Sequence, residues 1–259
     1  MLARKSNLRS FIFISKKWGK MVLLKVEKLM KSFGGLMALY EVNFDIFQGE
    51  IFGVIGPNGS GKTTLFNVIT GFLKANSGKV LFMGKDITGL PPYQICRKGI
   101  ARIFQLVKPF HQLTTLQNAM VSRAYGKDPA THIGKAKEEV VGILSFVGLG
   151  NKIEVPASQL TMAERKRLEL ARALAAKPQL LLLDELMAGL NPTETEAAMD
   201  LVKKIRDSGI TVIMVEHIMK AVLGISDRVM VLNVGEKIAE GPPKEVVSNP
   251  QVIEAYLGK

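Results

Sequence analysis

The sequence predicts an α/β fold with a mainly parallel core sheet, a smaller antiparallel β-subdomain and an inserted α-helical subdomain. Three observations carry that prediction. Strand, loop and helix patterns recur in turn along most of the chain, the order from which parallel sheets are built. Two runs, Ile51-Phe52-Gly53-Val54-Ile55 and Leu180-Leu181-Leu182-Leu183, are apolar without alternation, as strands buried on both faces are. Between about 91 and 175, after Pro91-Pro92, helical periodicity replaces the strand pattern.

The elements follow in order. Residues 22–28 and 40–47 read as strands separated by Gly34-Gly35; in the second, Val42, Phe44 and Ile46 alternate with Asn43 and Asp45. The buried run 51–55 enters a glycine-rich turn and then a helix from about Lys62 to Gly71. Turns at Asn76-Ser77-Gly78 and Met83-Gly84-Lys85-Asp86 bracket a strand at 79–83. Helices are expected over 115–124, 135–147 and 162–176. The leucine strand precedes a helix at 193–207, a strand at 210–215 and a helix at 217–224. A hairpin turns at Val234-Gly235 between 228–232 and 236–240, and short helices fill 243–257.

At 259 residues the chain has room for one large domain or two small ones. Its apolar share of 47%, with ordinary glycine and proline, excludes collagen and wholesale disorder. The single cysteine, Cys96, excludes an intramolecular disulfide and fits a reducing compartment. No window approaches about 18 consecutive apolar residues, so the chain is not expected to span a membrane by itself.

The net charge is +12, and half of it lies in residues 1–20, which hold Arg4, Lys5, Arg9, Lys16, Lys17 and Lys20 and no acid. That segment reads as a disordered basic extension, with an interfacial arm as the alternative. Its apolar run, Phe11 to Ile14, is too short for a secretory signal. The remaining charge reads as a solvated surface or as attraction to an anionic partner. No aromatic-rich basic stripe points to nucleic acid.

Gly56-Pro57-Asn58-Gly59-Ser60-Gly61-Lys62-Thr63 matches the pattern G-x-x-x-x-G-K-[ST], between a buried strand and a helix. The glycines let successive N–H groups turn inward on phosphate oxygens, and the helix N-terminus adds partial positive charge. Lys62 would reach the β- and γ-phosphates and the Thr63 hydroxyl would bind Mg²⁺, with Thr64 beside it. Leu180–Leu183 deliver Asp184-Glu185 at a strand end, where carboxylates come to lie beside such a loop. Asp184 is expected on Mg²⁺, and Glu185 on the attacking water.

Further segments give the chain a family likeness from about Met21 to its C-terminus. Gln105 follows Ala101-Arg102-Ile103-Phe104; Leu160-Thr161-Met162-Ala163-Glu164 leads into Arg165-Lys166-Arg167-Leu168-Glu169; Ala188-Gly189-Leu190-Asn191 and His217 come later. In this order they resemble an ATP-binding cassette (ABC) ATPase, which implies a P-loop NTPase fold in residues 21–259 with ATP and Mg²⁺ as cofactors. The resemblance implies that Gln105 contacts Mg²⁺ and the attacking water. It also implies that Leu160 to Glu164 form the signature facing a second subunit's nucleotide, that His217 is a switch histidine and that Phe33 stacks on adenine. The signature departs from Leu-Ser-Gly-Gly-Gln: Thr161 keeps the serine hydroxyl, whereas Met162 and Ala163 replace both glycines. Ala163 is tolerable only where φ is negative.

Phe66 to Gly71, Asp86 to Pro92, Met187 to Glu194 and the tail Val231 to Gly258 are similar to ATPase subunits of branched-chain amino-acid importers. That likeness implies a peripheral subunit at the cytoplasmic face of the cell membrane. It would be paired with a second ATPase subunit and coupled to transmembrane permease subunits, and through them to a substrate-binding protein. No nucleic-acid partner is expected. The groove near Gln105 would receive a short permease helix, with Val107, Pro109, Phe110 and Leu113 either lining it or packing in the core. Two alternatives stay open from the sequence: a cassette ATPase that works without a membrane, and a nucleotide-binding module with weak hydrolysis.

Overall fold

The computed structural model describes residues 21–105 and 108–257. The extension 1–20, Val107 and Gly258 lie outside the described residues. Strands β1 (Val22–Phe33) and β2 (Leu36–Phe47) form a long hairpin across Gly34-Gly35, and β3 (Ile51–Ile55) leaves it for a second sheet. Helix α1 (Lys62–Ile69) follows, and then β4 (Ser77–Phe82) and the two-residue β5 (Lys85–Asp86). These close an antiparallel sheet in the order β2-β1-β4-β5.

Both hairpin strands run longer than the periodicity predicts. Lys28 and Glu41 have φ of 44°, and the register slips between Val26 and Leu29. A bulge shifts which residues face the core and so breaks the alternation that marks a strand.

Helix α2 (Pro92–Lys98) and strand β6 (Ile100–Ile103) were not legible as elements. Pro92 opens α2 and Gly99, at φ 101°, ends it. Strand β6 has only four residues, too few for a pattern, and belongs to the main sheet although it falls inside the 91–175 stretch. The helical segment therefore starts beyond it, with α3 (Thr115–Tyr125), α4 (Ile133–Phe146) and α5 (Met162–Ala175). Asn118 fixes its entry: the buried amide donates to the carbonyls of Phe110, Leu113 and Thr114 and accepts from Phe110 N–H.

The chain returns to the sheet with β7 (Leu180–Asp184), α6 (Pro192–Asp207), β8 (Thr211–Val215) and α7 (Met219–Ile225). It ends in the hairpin β9 (Arg228–Asn233) and β10 (Glu236–Gly241) and helices α8 (Pro243–Val247) and α9 (Pro250–Leu257). The main sheet has the order β10-β9-β3-β8-β7-β6, parallel except at β10.

The unbroken apolar runs now have their reason. Ile51, Ile55, Leu181 and Leu183 pack on the helical side, whereas Phe52, Val54, Leu180 and Leu182 pack toward α1 and the antiparallel sheet. Both faces are covered, so a polar residue would be buried on either. Phe44 of β2 stacks on Phe52 of β3 at 5.7 Å between centroids and joins the two sheets.

Candidate nucleotide site

The carboxyl ends of β3, β7 and β8 lie side by side: Val54 pairs with Val215, and Val215 with Asp184. Each strand end carries a motif, which is why residues distant in sequence meet here.

After β3 the chain curls at Gly56, Gly59 and Gly61, with φ of 153°, 76° and 103°. Two of these glycines are required by space as well as by φ. A Cβ on Gly56 would lie 2.1 Å from the Leu232 carbonyl oxygen, and one on Gly61 would lie 2.4 Å from that of Ala38. Lys62 folds back over the loop, its Nζ donating to the Gly56 and Pro57 carbonyls at 2.8 Å. Burial lowers its pKa, and Glu185 and Asp184 pull the other way. The Ser60 side is buried, while Asn58, Gly59 and Thr63 are exposed and Thr64 is half-buried. The open side of the loop is therefore the one a phosphate would approach.

Thr63, Gln105 and Asp184 line one cleft of about 840 Å³, together with Asn67, Thr70 and Arg102. A hydroxyl, an amide and one carboxylate form an oxygen donor set. That suits Mg²⁺, which takes one or two protein oxygens and completes its shell with phosphate and water. Asp184 is nearly buried, and its Oδ2 meets Arg102 Nη2 at 2.6 Å.

Glu185 is held on both oxygens. His217 Nε2 lies 2.7 Å from Oε1, and Gln105 Nε2 donates to Oε2 at 2.6 Å. Three residues singled out from sequence thus form one chain of contacts. Adjacent strand residues face opposite ways, so Glu185 reaches the side of Asp184 only because its φ is 52°. A left-handed non-glycine residue costs about 1–2 kcal/mol, and such strain collects at working sites.

Phe33 ends β1 and pairs with Leu36, two residues before the Ala38 carbonyl that abuts Gly61. It stands at the phosphate-loop end of the hairpin, 46% exposed, with Lys31 Nζ 5.1 Å from its ring centroid.

The Leu160–Glu164 segment begins α5. Leu160 is buried and Met162 is exposed. Thr161 is the N-cap: its hydroxyl accepts from Glu164 N–H at 3.3 Å and its N–H donates to Glu164 Oε2 at 3.0 Å. This capping box satisfies two of the free N–H groups at the helix start. Lys152 meets Glu164 at 2.6 Å and, with Thr161, holds its carboxyl below the usual range. Ala163 sits in the first helical turn and is not among the positive-φ residues. The condition set by its methyl group is met. Asn191 caps α6 in the same way, with Glu194 as its partner. Of the groove residues, Phe110 is exposed under the Arg172 guanidinium, whereas Pro109 is buried and Leu113 half-buried.

Sequence reasoning gave no role to Arg102, Lys166 or Glu216. Each has a nearly buried side chain that contacts a neighbouring motif: Arg102 meets Asp184, and Lys166 and Glu216 meet the backbone just after it. None of the three stood out in the sequence, since β6 is too short to read as a strand and the partners of Lys166 and Glu216 are backbone groups.

A phosphate loop after a central strand, with a buried aspartate two strands away across β8, defines a P-loop NTPase. The chain belongs to the ABC transporter family: the family model "ABC transporter" matches residues 39–188, and "Branched-chain amino acid ATP-binding cassette transporter" matches residues 236–259. It is 39% identical over 250 residues to the high-affinity branched-chain amino acid transport ATP-binding protein LivG of Escherichia coli, covering 92% of this chain and 98% of that one. It is 38% identical over 250 residues to BraF of Pseudomonas aeruginosa, with the same coverage. Among solved structures, the ADP conformation of an ATP-binding cassette of an ABC transporter superposes with a TM-score of 0.84 at 36% identity, covering 92% of this chain and all of that one.

Proposed function

We propose that this chain is the ATP-hydrolysing subunit of an importer for branched-chain amino acids. It drives transport through membrane permease subunits from the cytoplasmic face of the membrane, paired with a second ATPase subunit and served by a substrate-binding protein. The observation that carries the hydrolytic part is Glu185 fixed between Gln105 and His217 beside the phosphate loop. The amino-acid part is supported by the names of the relatives and by the family match at the C-terminus.

The loop's N–H groups and Lys62 bind the β- and γ-phosphates, and Phe33 stacks on adenine. Thr63, Gln105 and Asp184 would hold Mg²⁺, whose charge would offset that of the phosphates. Glu185 takes the proton of the attacking water, and His217 and Gln105 keep its carboxylate turned to that task. A positioned base of this kind supplies about 10²–10⁴ in rate. Leu160 to Glu164 close on the nucleotide of the partner subunit, where the Thr161 hydroxyl, which accepts within its own helix, still has a proton to donate.

The test is copurification of the tagged full chain with permease subunits, followed by ATPase assays in vesicles. Binding protein loaded with leucine, isoleucine or valine should raise phosphate release. Release indifferent to these loaded binding proteins would sink the amino-acid reading.

A further inference from the structure

The turn after β7 is gripped from two sides by buried charged side chains to which no motif above assigns a role. From α5, Lys166 Nζ donates to the Leu186 carbonyl at 2.7 Å and to that of Glu185 at 3.2 Å. From the end of β8, Glu216 Oε1 accepts from Met187 N–H at 2.8 Å. The Glu185 N–H is itself bound to the Val215 carbonyl at 2.9 Å. Lys166 is 6% exposed and Glu216 3%. Among the described residues neither makes an ion pair within 4 Å, so each spends a buried polar group on backbone. Desolvating such groups is costly, and an apolar residue of similar size would fill the space at less cost. What the two groups supply is a fixed path for residues 185–187, the stretch that includes the left-handed Glu185. Glu216 also directly precedes His217, so one short segment holds both the turn and the side chain on Glu185 Oε1.

We propose that Lys166 and Glu216 are positioning residues that lock the left-handed turn at Glu185, so that its carboxylate stays between Gln105 and His217. This rests on the reading of Glu185 as the group that acts on the attacking water. Lys166 lies on the helix that Thr161 caps, so the same strut ties the signature helix to Glu185 of its own subunit.

The experiment uses the full chain copurified with its membrane subunits. Lys166→Met and Glu216→Leu should each lower kcat at least tenfold while KM for MgATP stays within threefold. Amide exchange at 187–190 should speed up at least tenfold, with α1 unchanged. Glu216→Gln, which still accepts from Met187, should keep kcat within threefold. If an apolar variant fails to fold, Lys166→Gln decides, since its amide nitrogen ends one bond nearer the backbone than the ammonium and falls short of the two carbonyls, so kcat should fall. Glu185→Gln is the control. If it abolishes turnover while Lys166→Met or Lys166→Gln keeps kcat within twofold, the lock is refuted and the reading of Glu185 stands. If Glu185→Gln itself turns over normally, both are overturned.

Discussion

Arg102 and Asp184 form an ion pair at 2.6 Å with each side chain 5% exposed, inside the cleft that Thr63 and Gln105 also line. Arg102 Nη1 donates to Asn67 Oδ1 at 2.7 Å, and the guanidinium lies 4.7 Å from the Phe104 ring centroid and 5.5 Å from that of Phe66. One residue thus ties β6, α1 and the end of β7 together. Arg102→Met leaves Asp184 buried and unpaired, which costs about 3–5 kcal/mol. The thermal midpoint, measured without nucleotide, should fall by about 6 °C or more. Arg102→Met combined with Asp184→Asn should be more stable than Arg102→Met alone, because the stranded charge is gone. Strictly additive losses would show that the pair is not what stabilises this corner.

Glu185→Gln should bind ATP with wild-type affinity and lose nearly all turnover. The amide keeps the size of the carboxylate but cannot accept the proton of water. A fall of at least about a hundredfold in phosphate release is expected. The variant should collect as an ATP-bound dimer on size exclusion. Release near the wild-type rate would remove Glu185 as the base.

Lys62→Ala would remove the charge proposed to face the β- and γ-phosphates, together with two hydrogen bonds that brace the loop, to Gly56 and Pro57. Nucleotide affinity itself should drop, unlike in Glu185→Gln. Titration with a fluorescent ATP analogue checks it, and an unchanged Kd would refute the phosphate-loop assignment.

Ala163→Gly should leave ATPase activity flat and cost stability of about 0.5–1 kcal/mol, because Ala163 already has helical φ and glycine only adds unfolded-state freedom. The capping box from Thr161 to Glu164 is intact without glycine beside it. A tenfold rise in turnover would mean instead that the methyl group holds the facing phosphate loop away.

The sequence was most legible where one face, one spacing or one loop dictates the residues. The phosphate loop, the leucine strand and Glu185 could be read because their chemistry needs fixed neighbours in the chain. Strand β6 could not, since four residues carry no period, and its Arg102 gains a role only when β7 lies alongside. The bulge at Lys28 hid the length of β1 for a similar reason: its register is set by β2, not by its own pattern. Glu216 and Lys166 are 50 positions apart and meet only through the backbone of a third segment. No local signal marks a side chain whose partners are carbonyl and amide groups.

Glu216 gives the last prediction, a pH dependence of stability. Its burial pushes the carboxyl up from 4.5 to about 7, against the pull of Met187 N–H and Lys166; Glu185 adds to the rise and His217 opposes it. The folded state therefore holds this proton where the unfolded chain has released it. Below pH 4.5 both states are protonated and the group has no effect on the pH slope. Between about 4.5 and 7 folding becomes less favourable as pH rises, and above about 7 the loss levels off at about 3 kcal/mol at most. Glu216→Gln has nothing to titrate, so its advantage over wild type should grow from pH 5 to pH 7 and then stay level. Urea unfolding of both proteins across pH 5–8 measures that difference, in which titrating groups not coupled to Glu216 cancel. A difference constant across the range would show that Glu216 is charged throughout, held down by Lys166 and the Met187 N–H more firmly than burial raises it.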